Sequence, residues 1–310
     1  ITVVKNTNYW NKDTIVAEKI KFVLMDNPNS AVAGVKEGIL HFSDTFPWQD
    51  IDSLRAEGLI DIATRIGTVY YALNTTNKTL KDKRVRKALS LAIDRNYIIE
   101  NIVKSGKPAG ALVPRGVTDI KGDFRENAGE YISVEPKDYT NNVEEAKRLM
   151  AEAGYPNGEN FPVIEVLVSS EGNVVMVEAI QQMWKNIGVD AIIMPREWAV
   201  ILQSFRDLSY QMVLSGWTGD YNDPMTMLDL YLSYAPSNPG YSNFVYDNLL
   251  EEAQKTVNAK DRMQILHKAE EILMNDMTII PLHYRSNPLM ISKRLMDYKL
   301  DPLSKYRFHY

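Results

Sequence analysis

Ser215-Gly216-Trp217-Thr218-Gly219-Asp220-Tyr221-Asn222-Asp223-Pro224 joins an apolar run to a turn dense in aromatic and acidic groups. The run before it, Tyr210-Gln211-Met212-Val213-Leu214, has the composition and length of a buried strand. Gly216 and Gly219 let the backbone approach another group closely. Trp217 and Asp220 then offer an indole face and a carboxylate to one small space, as a ligand-facing loop does. The same turn reads equally well as an Asx-turn that ends a strand.

Working outward, residues 163–168 read as a strand, 173–186 as a helix and 189–194 as a second strand. That order implies a parallel pair with a right-handed crossover. A helix over 197–205 leads back into the opening motif. Upstream, a strand at 19–25, a helix at 30–37 capped by Ser30 and a strand at 39–42 form a small β-α-β unit. A surface helix follows at 48–56. Thr68-Val69-Tyr70-Tyr71-Ala72-Leu73-Asn74 is aromatic and β-branched, a central strand suited to lining a cleft. Helices follow at 83–93 and 95–104, divided by the N-cap Asp94, with Arg84, Arg86 and Lys87 expected on solvated faces. Residues 106–139 form a long irregular excursion. A helix at 143–153 ends at Gly154, a helix pair spans 247–258 and 261–274, and 278–282 is a short buried strand. The class is α/β.

The chain has 310 residues, 45% of them hydrophobic, enough for a substantial core and two domains. A net charge of -5 with scattered basic residues argues against nucleic acid as a partner. Having no cysteine, it is without disulfides, thiolate metal sites and cysteine nucleophiles. The four histidines, His41, His267, His283 and His309, lack metal-ligand spacing, and neither a phosphate-cradling glycine loop nor a Gly-x-Ser-x-Gly elbow is present. No cofactor or metal is expected. Of 17 Tyr and 5 Trp, Tyr70, Tyr71, Trp198, Trp217, Tyr221, Tyr241 and Tyr284 fall in loops or strands rather than helix cores, a distribution that fits binding. One of Tyr70 and Tyr71 must nevertheless face the core, because they sit on opposite faces of one strand.

Taken together, Lys5-Asn6-Thr7-Asn8-Tyr9-Trp10, the segment from Gly67 to Asn74, Val85-Arg86-Lys87-Ala88-Leu89-Ser90-Leu91-Ala92-Ile93-Asp94-Arg95, Ala151-Glu152-Ala153-Gly154-Tyr155-Pro156 and Gly216 to Pro224 resemble the solute-binding proteins of peptide ABC importers. Gly240-Tyr241-Ser242-Asn243 and Ile280-Pro281-Leu282 fit as well. The resemblance implies a periplasmic-binding-protein-like (class II) fold of two α/β lobes, with one complete lobe and part of the other in this chain. Its hinge crossings fall near Gly67 and Pro288, so that 68–287 is the complete C-terminal ligand-binding lobe and 1–67 with 288–310 are parts of the first. Family members begin far upstream of Lys5. The chain is thus expected to lack the signal peptide, the lipid-bearing cysteine and most of the first lobe.

The function so implied is capture of extracytoplasmic oligopeptides, in the periplasm or as a lipoprotein on the outer face of the cell membrane, and delivery to the permease subunits of the transporter. Membrane association would come only through the N-terminal lipid anchor. In the family, the acid matching Asp220 takes the peptide's α-amino group, and the backbone of Gly216, Trp217, Thr218 and Gly219 pairs with the peptide main chain. Trp198 and Trp217 match aromatic residues that wall side-chain pockets, and Asn173 a position that reaches the ligand from the start of its helix. Phe205 and Leu214 stand where the best-known oligopeptide binder has arginines for the peptide carboxylate, which leaves Arg206 or Arg285 as substitutes. Other expectations on the same fold are a nickel chelate, a sugar or haem as ligand. A hydrolase using Asp220 with His283 is a reading of a different class, supported by no motif.

Overall fold

The computed structural model describes residues 1–170, 172–236, 238–296, 298–303 and 306–308, so that His309 lies outside the described residues. The chain divides into two compact units, Ile1–Arg65 with Ser286–Tyr310, and Ile66–Arg285.

The smaller unit begins with β1 (Thr2–Val4) and β2 (Lys19–Lys21), an antiparallel pair. Helix α1 (Pro28–Lys36) follows, then β3 (Phe42–Ser43) and α2 (Ile51–Ala56). Asn27, not Ser30, caps α1 by accepting from the amides of Asn29 and Ser30, and Pro28 occupies the first turn, where its missing N–H costs nothing. The β-α-β unit expected here does not form, because β2 pairs with β1 while β3 pairs with a strand near the other end of the chain. The core of this unit gathers Ala31, Val35, Phe46, Ile51, Leu54, Leu59 and Met290.

Strand β4 (Ile60–Leu73) carries the chain into the larger unit. There follow α3 (Lys83–Leu91), α4 (Arg95–Tyr97) continuing into a π-helical turn, β5 (Lys107–Pro108), α5 (Phe124–Ala128) and α6 (Tyr139–Glu152). Next come β6 (Ile164–Ser169), α7 (Val174–Lys185), β7 (Ala191–Arg196), α8 (Trp198–Asp207) and β8 (Met212–Thr218). Helices α9 (Met225–Leu228), α10 (Phe244–Lys255) and α11 (Ala259–Asn275) precede β9 (Ile279–Ile291), which leads back into the smaller unit, where β10 (Tyr298–Leu300) pairs with β11 (Tyr306–Phe308).

Within the larger unit the strand order is β9-β4-β8-β6-β7, with β5 also on β9. Strands β6 and β7 are parallel across α7, as the strand-helix-strand pattern requires, whereas β4 and β8 are antiparallel. Tyr71, Leu73 and Met212 face the main core, in which Trp184 is fully buried and donates from its indole to the Leu89 carbonyl. Asp94 caps α4 as expected, through the Tyr97 amide.

Two sequence expectations fail for one physical reason. Arg86 is not on a solvated face: it is 6% exposed and donates to the carbonyls of Met277, Leu80, Lys81 and Asp276. Tyr241 and Tyr284 are likewise structural, their buried rings donating to Asp276 and Glu130. In each case a long polar side chain buries its body and spends its polar tip on a carbonyl or carboxylate, a pattern that residue type alone does not reveal.

Candidate ligand-binding site

The opening motif is not all turn. Strand β8 runs through Ser215, Gly216 and Trp217 to Thr218, in register with Gly67–Leu73 of β4. On its other side, the ladder to β6 contains only Met212 and Val213 among the described residues. The amide of Gly219 donates to Ile66 and that of Asn74 to Gln211, so odd-numbered residues of β8 bond toward β4. Alternation turns the amide and carbonyl groups of Met212, Leu214, Gly216 and Thr218 the other way; the Leu167–Val213 bridge takes up the Leu214 amide, and beyond it Gly216 and Thr218 face the side that β6 has left. Among the described residues Gly216 and Thr218 thus form a short length of strand edge with no ladder partner on that side.

Register also sorts the side chains. Trp217, Ser215 and Val213 share one face with Thr68, Tyr70 and Ala72; Thr218, Gly216 and Leu214 share the other with Gly67, Val69 and Tyr71. On the first face lies a hollow of about 270 Å3 whose floor includes Tyr70, Ala72, Ser215 and Trp217. One wall is the α8 stripe Trp198, Leu202 and Phe205, spaced at i, i+4 and i+7, with Arg206 beside it. The opposite wall comes from Leu230, Tyr231, Pro236 and Pro239. Beneath α8, Ile201 packs with Leu167, Tyr210 and Val213 and fixes the helix over the strand. The hollow therefore gathers Trp198, Trp217 and Gly216 of the expected residues, and Phe205 with Arg206 besides.

The Trp217 indole Nε1 is buried and has no hydrogen-bond partner among the described residues. A buried donor without an acceptor costs roughly 1–3 kcal/mol, so a ligand acceptor at this point would relieve it. The Tyr70 hydroxyl neighbours Tyr231 and Ser215, and burial holds the pKa values of Tyr70 and Tyr231 above that of an ordinary phenol. Both rings therefore stay neutral.

Asp220 lies two residues beyond β8, exposed and outside the lining of the hollow. Its own amide donates to Thr226 Oγ1 at 3.0 Å, which sets the loop. Half-buried Asp229 is close enough that, after burial, the Asp220 carboxylate is the next cause raising its pKa above the ordinary aspartate range. Neither Asp220 nor Asp229 has an ion-pair partner among the described residues. Asp223, by contrast, is held by Arg262.

Asn173 and Arg285 are not part of the hollow. Asn173 is exposed and caps α7, its side-chain oxygen accepting from Met176. Arg285 crosses the opposite face of the β4–β8 ribbon: a Cβ at Gly67 would lie 2.8 Å from its Cδ, and one at Gly216 2.7 Å from its Nη2. The two glycines clear a path for that side chain, a reason for glycine that the sequence reading did not contain. Leu214 packs against the main core. His283 has its Nδ1 buried with no hydrogen-bond partner among the described residues. The sequence reading missed Leu202, Tyr231, Pro236, Pro239 and Asp229; the only signal was the i, i+4, i+7 stripe of α8.

Residues 1–239 match the model of the bacterial extracellular solute-binding proteins, family 5 Middle. The chain belongs to that family. Among curated relatives, the oligopeptide-binding protein OppA of Bacillus subtilis is 30% identical over 297 residues, covering 92% of this chain and 53% of the relative. The periplasmic murein peptide-binding protein MppA of Escherichia coli is 29% identical over 309 residues, covering 97% and 56%. The chain thus spans about half the length of the curated relatives it matches.

Among solved structures, the unliganded open form of MppA superposes with a TM-score of 0.84 at 28% identity, over 99% of this chain and 60% of that one. OppA of Haemophilus influenzae in complex with the peptide RPPGFSPFR gives 0.73 at 26% identity, over 100% and 61%. The family resemblance and the α/β periplasmic-binding-protein fold expected from the sequence are both met. No helix among the described residues is long and apolar enough to cross a membrane.

Proposed function

We propose that this chain is the ligand-binding part of a solute-binding protein that captures oligopeptides outside the cytoplasmic membrane, in the periplasm or as a lipoprotein, and hands them to an ABC permease. The observation that carries the reading is the free edge of β8 beside the hollow. An extended peptide is the ligand class whose own amides and carbonyls can complete such an edge, adding a strand whose alternate side chains enter pockets. Peptide-binding relatives of the same family support the choice of ligand over a metal chelate or a sugar.

In this reading Gly216, Trp217, Thr218 and Gly219 provide the main-chain partners, Trp198 and Trp217 wall a side-chain pocket, and Asp220 takes the peptide's amino group. Arg206, exposed beside the hollow, is better placed than Arg285 for a carboxylate near that pocket. Residues 68–287 act as the ligand-binding lobe, and Asn173 at the head of α7 reaches the ligand from beyond the hollow. The role is binding, with no bond made or broken.

Calorimetry with a free-amine peptide and its N-acetylated analogue tests the amine clamp. Where the bound peptide and the closed site exclude water from the pair, Asp220→Asn should weaken the free-amine peptide by about 2–5 kcal/mol, because the ammonium loses its counter-charge. Equal affinity of the unmodified protein for both peptides would take that role away from Asp220.

A further inference from the structure

We propose that the hollow under α8 makes the protein selective for peptides carrying an aromatic or large aliphatic side chain at the position seated beside Trp217, and unfavourable to a basic side chain there. The inference rests on the peptide-binding reading above and adds the ligand subclass.

Three observations carry it. The first is size: at about 270 Å3 the hollow lies below the roughly 300–1,000 Å3 of sites that enclose a whole small molecule, so it suits one side chain of a larger ligand. The second is the nature of its walls. Trp198, Leu202 and Phe205 face Leu230, Pro236 and Pro239, surfaces that gain by taking another apolar body out of water. Trp198 is 48% and Leu202 40% exposed, apolar area that a ligand side chain would cover. The third is charge. Among the described residues that line the hollow, Arg206 alone is charged and none is a carboxylate. A lysine or arginine entering there would leave water for a site that offers repulsion and no counter-ion.

The polar atoms present do not reverse this preference. The hydroxyl of Tyr70 neighbours Tyr231 and Ser215, and Trp217 Nε1 needs one acceptor, which a peptide carbonyl or a phenolic oxygen supplies. Tyrosine is therefore accepted along with phenylalanine, tryptophan and leucine. Phe205, which forms an edge-on contact with Tyr210 at 5.1 Å between ring centroids, keeps this wall apolar.

The test is a positional scan by calorimetry, with Phe, Leu, Lys or Ala placed in turn at each of the first four positions of an otherwise all-alanine peptide. At one position Phe should bind about tenfold or more tightly than Ala, with Lys weaker than Ala. Leu202→Glu places a carboxylate on an exposed part of the wall and should cut the Phe-to-Lys affinity ratio at that position about tenfold. Equal affinities for Phe and Lys at every position, with the all-alanine peptide still bound, would overturn the selectivity and leave peptide binding standing. Failure of every peptide to bind would overturn the peptide-binding reading, and this inference with it.

Discussion

Arg262 grips Asp223 with both terminal nitrogens, Nη1 to Oδ2 at 2.6 Å and Nη2 to Oδ1 at 2.9 Å. This fork-to-carboxylate geometry ties the segment carrying Asp220 to α11, and Asp223 Oδ1 also accepts from the Met225 amide. Asn222 fastens the same segment from another side, accepting from the Thr118 amide and donating to the Gly116 carbonyl.

Cutting the Arg262 anchor should loosen the loop before it unfolds the protein. Arg262→Gln is expected to cost about 1–2 kcal/mol in urea unfolding, since the pair is only partly buried. Amide hydrogen exchange should speed up over residues 219–226 while β4 stays protected. Unchanged exchange in that segment would show that Asn222 and Thr226 hold it without help.

A second pair is wholly interior. Arg125 and Glu270 have no exposed side-chain surface; Glu270 also accepts from the Val113 amide at 2.7 Å, and Arg125 donates from Nε to the Val113 carbonyl. Glu270→Leu alone should therefore destabilise by about 3–5 kcal/mol, because it strands a buried guanidinium. The double change Glu270→Leu with Arg125→Met should cost less than Glu270→Leu alone, which thermal unfolding of the two variants will decide.

The third expectation concerns pH. Burial, and to a lesser degree the Arg285 charge, push the His283 imidazole from 6.5 down to about 4. A folded-state pKa below the unfolded value means that the unfolded chain binds the extra proton first. Stability contributed by neutral His283 is thus complete above about pH 6.5 and is lost as pH falls from there toward 4. His283→Gln should flatten the stability curve in that window by on the order of 2 kcal/mol between pH 7 and pH 4.5. Parallel curves for the two proteins in urea titrations would show that the ring does not carry this dependence.

The strands and helices of the larger unit were readable because their patterns are local: the apolar run at Met212–Leu214, the cap at Asp94, the glycine after α6. What was not readable depended on partners distant in sequence. Trp217 looked like a turn residue, yet β4 draws it into a strand 149 positions after its partner Thr68. Arg86 looked solvated until Met277 and Asp276, 191 and 190 residues away, accepted its hydrogen bonds. Within the candidate site, Trp198, Gly216 and Trp217 were legible from composition and resemblance. Tyr231, Pro236 and Pro239 were not, because only the fold carries them across from α8.

Where Arg285 lies against Gly67, the first and last residues of the larger unit, Ile66 and Arg285, are brought to neighbouring strands. A stretch of chain whose two ends meet is a cassette. Residues 66–285, expressed alone or spliced into a surface loop of another protein, should therefore fold with the strand edge of β8 and the hollow beneath α8 in place, which amide hydrogen exchange of the excised segment checks.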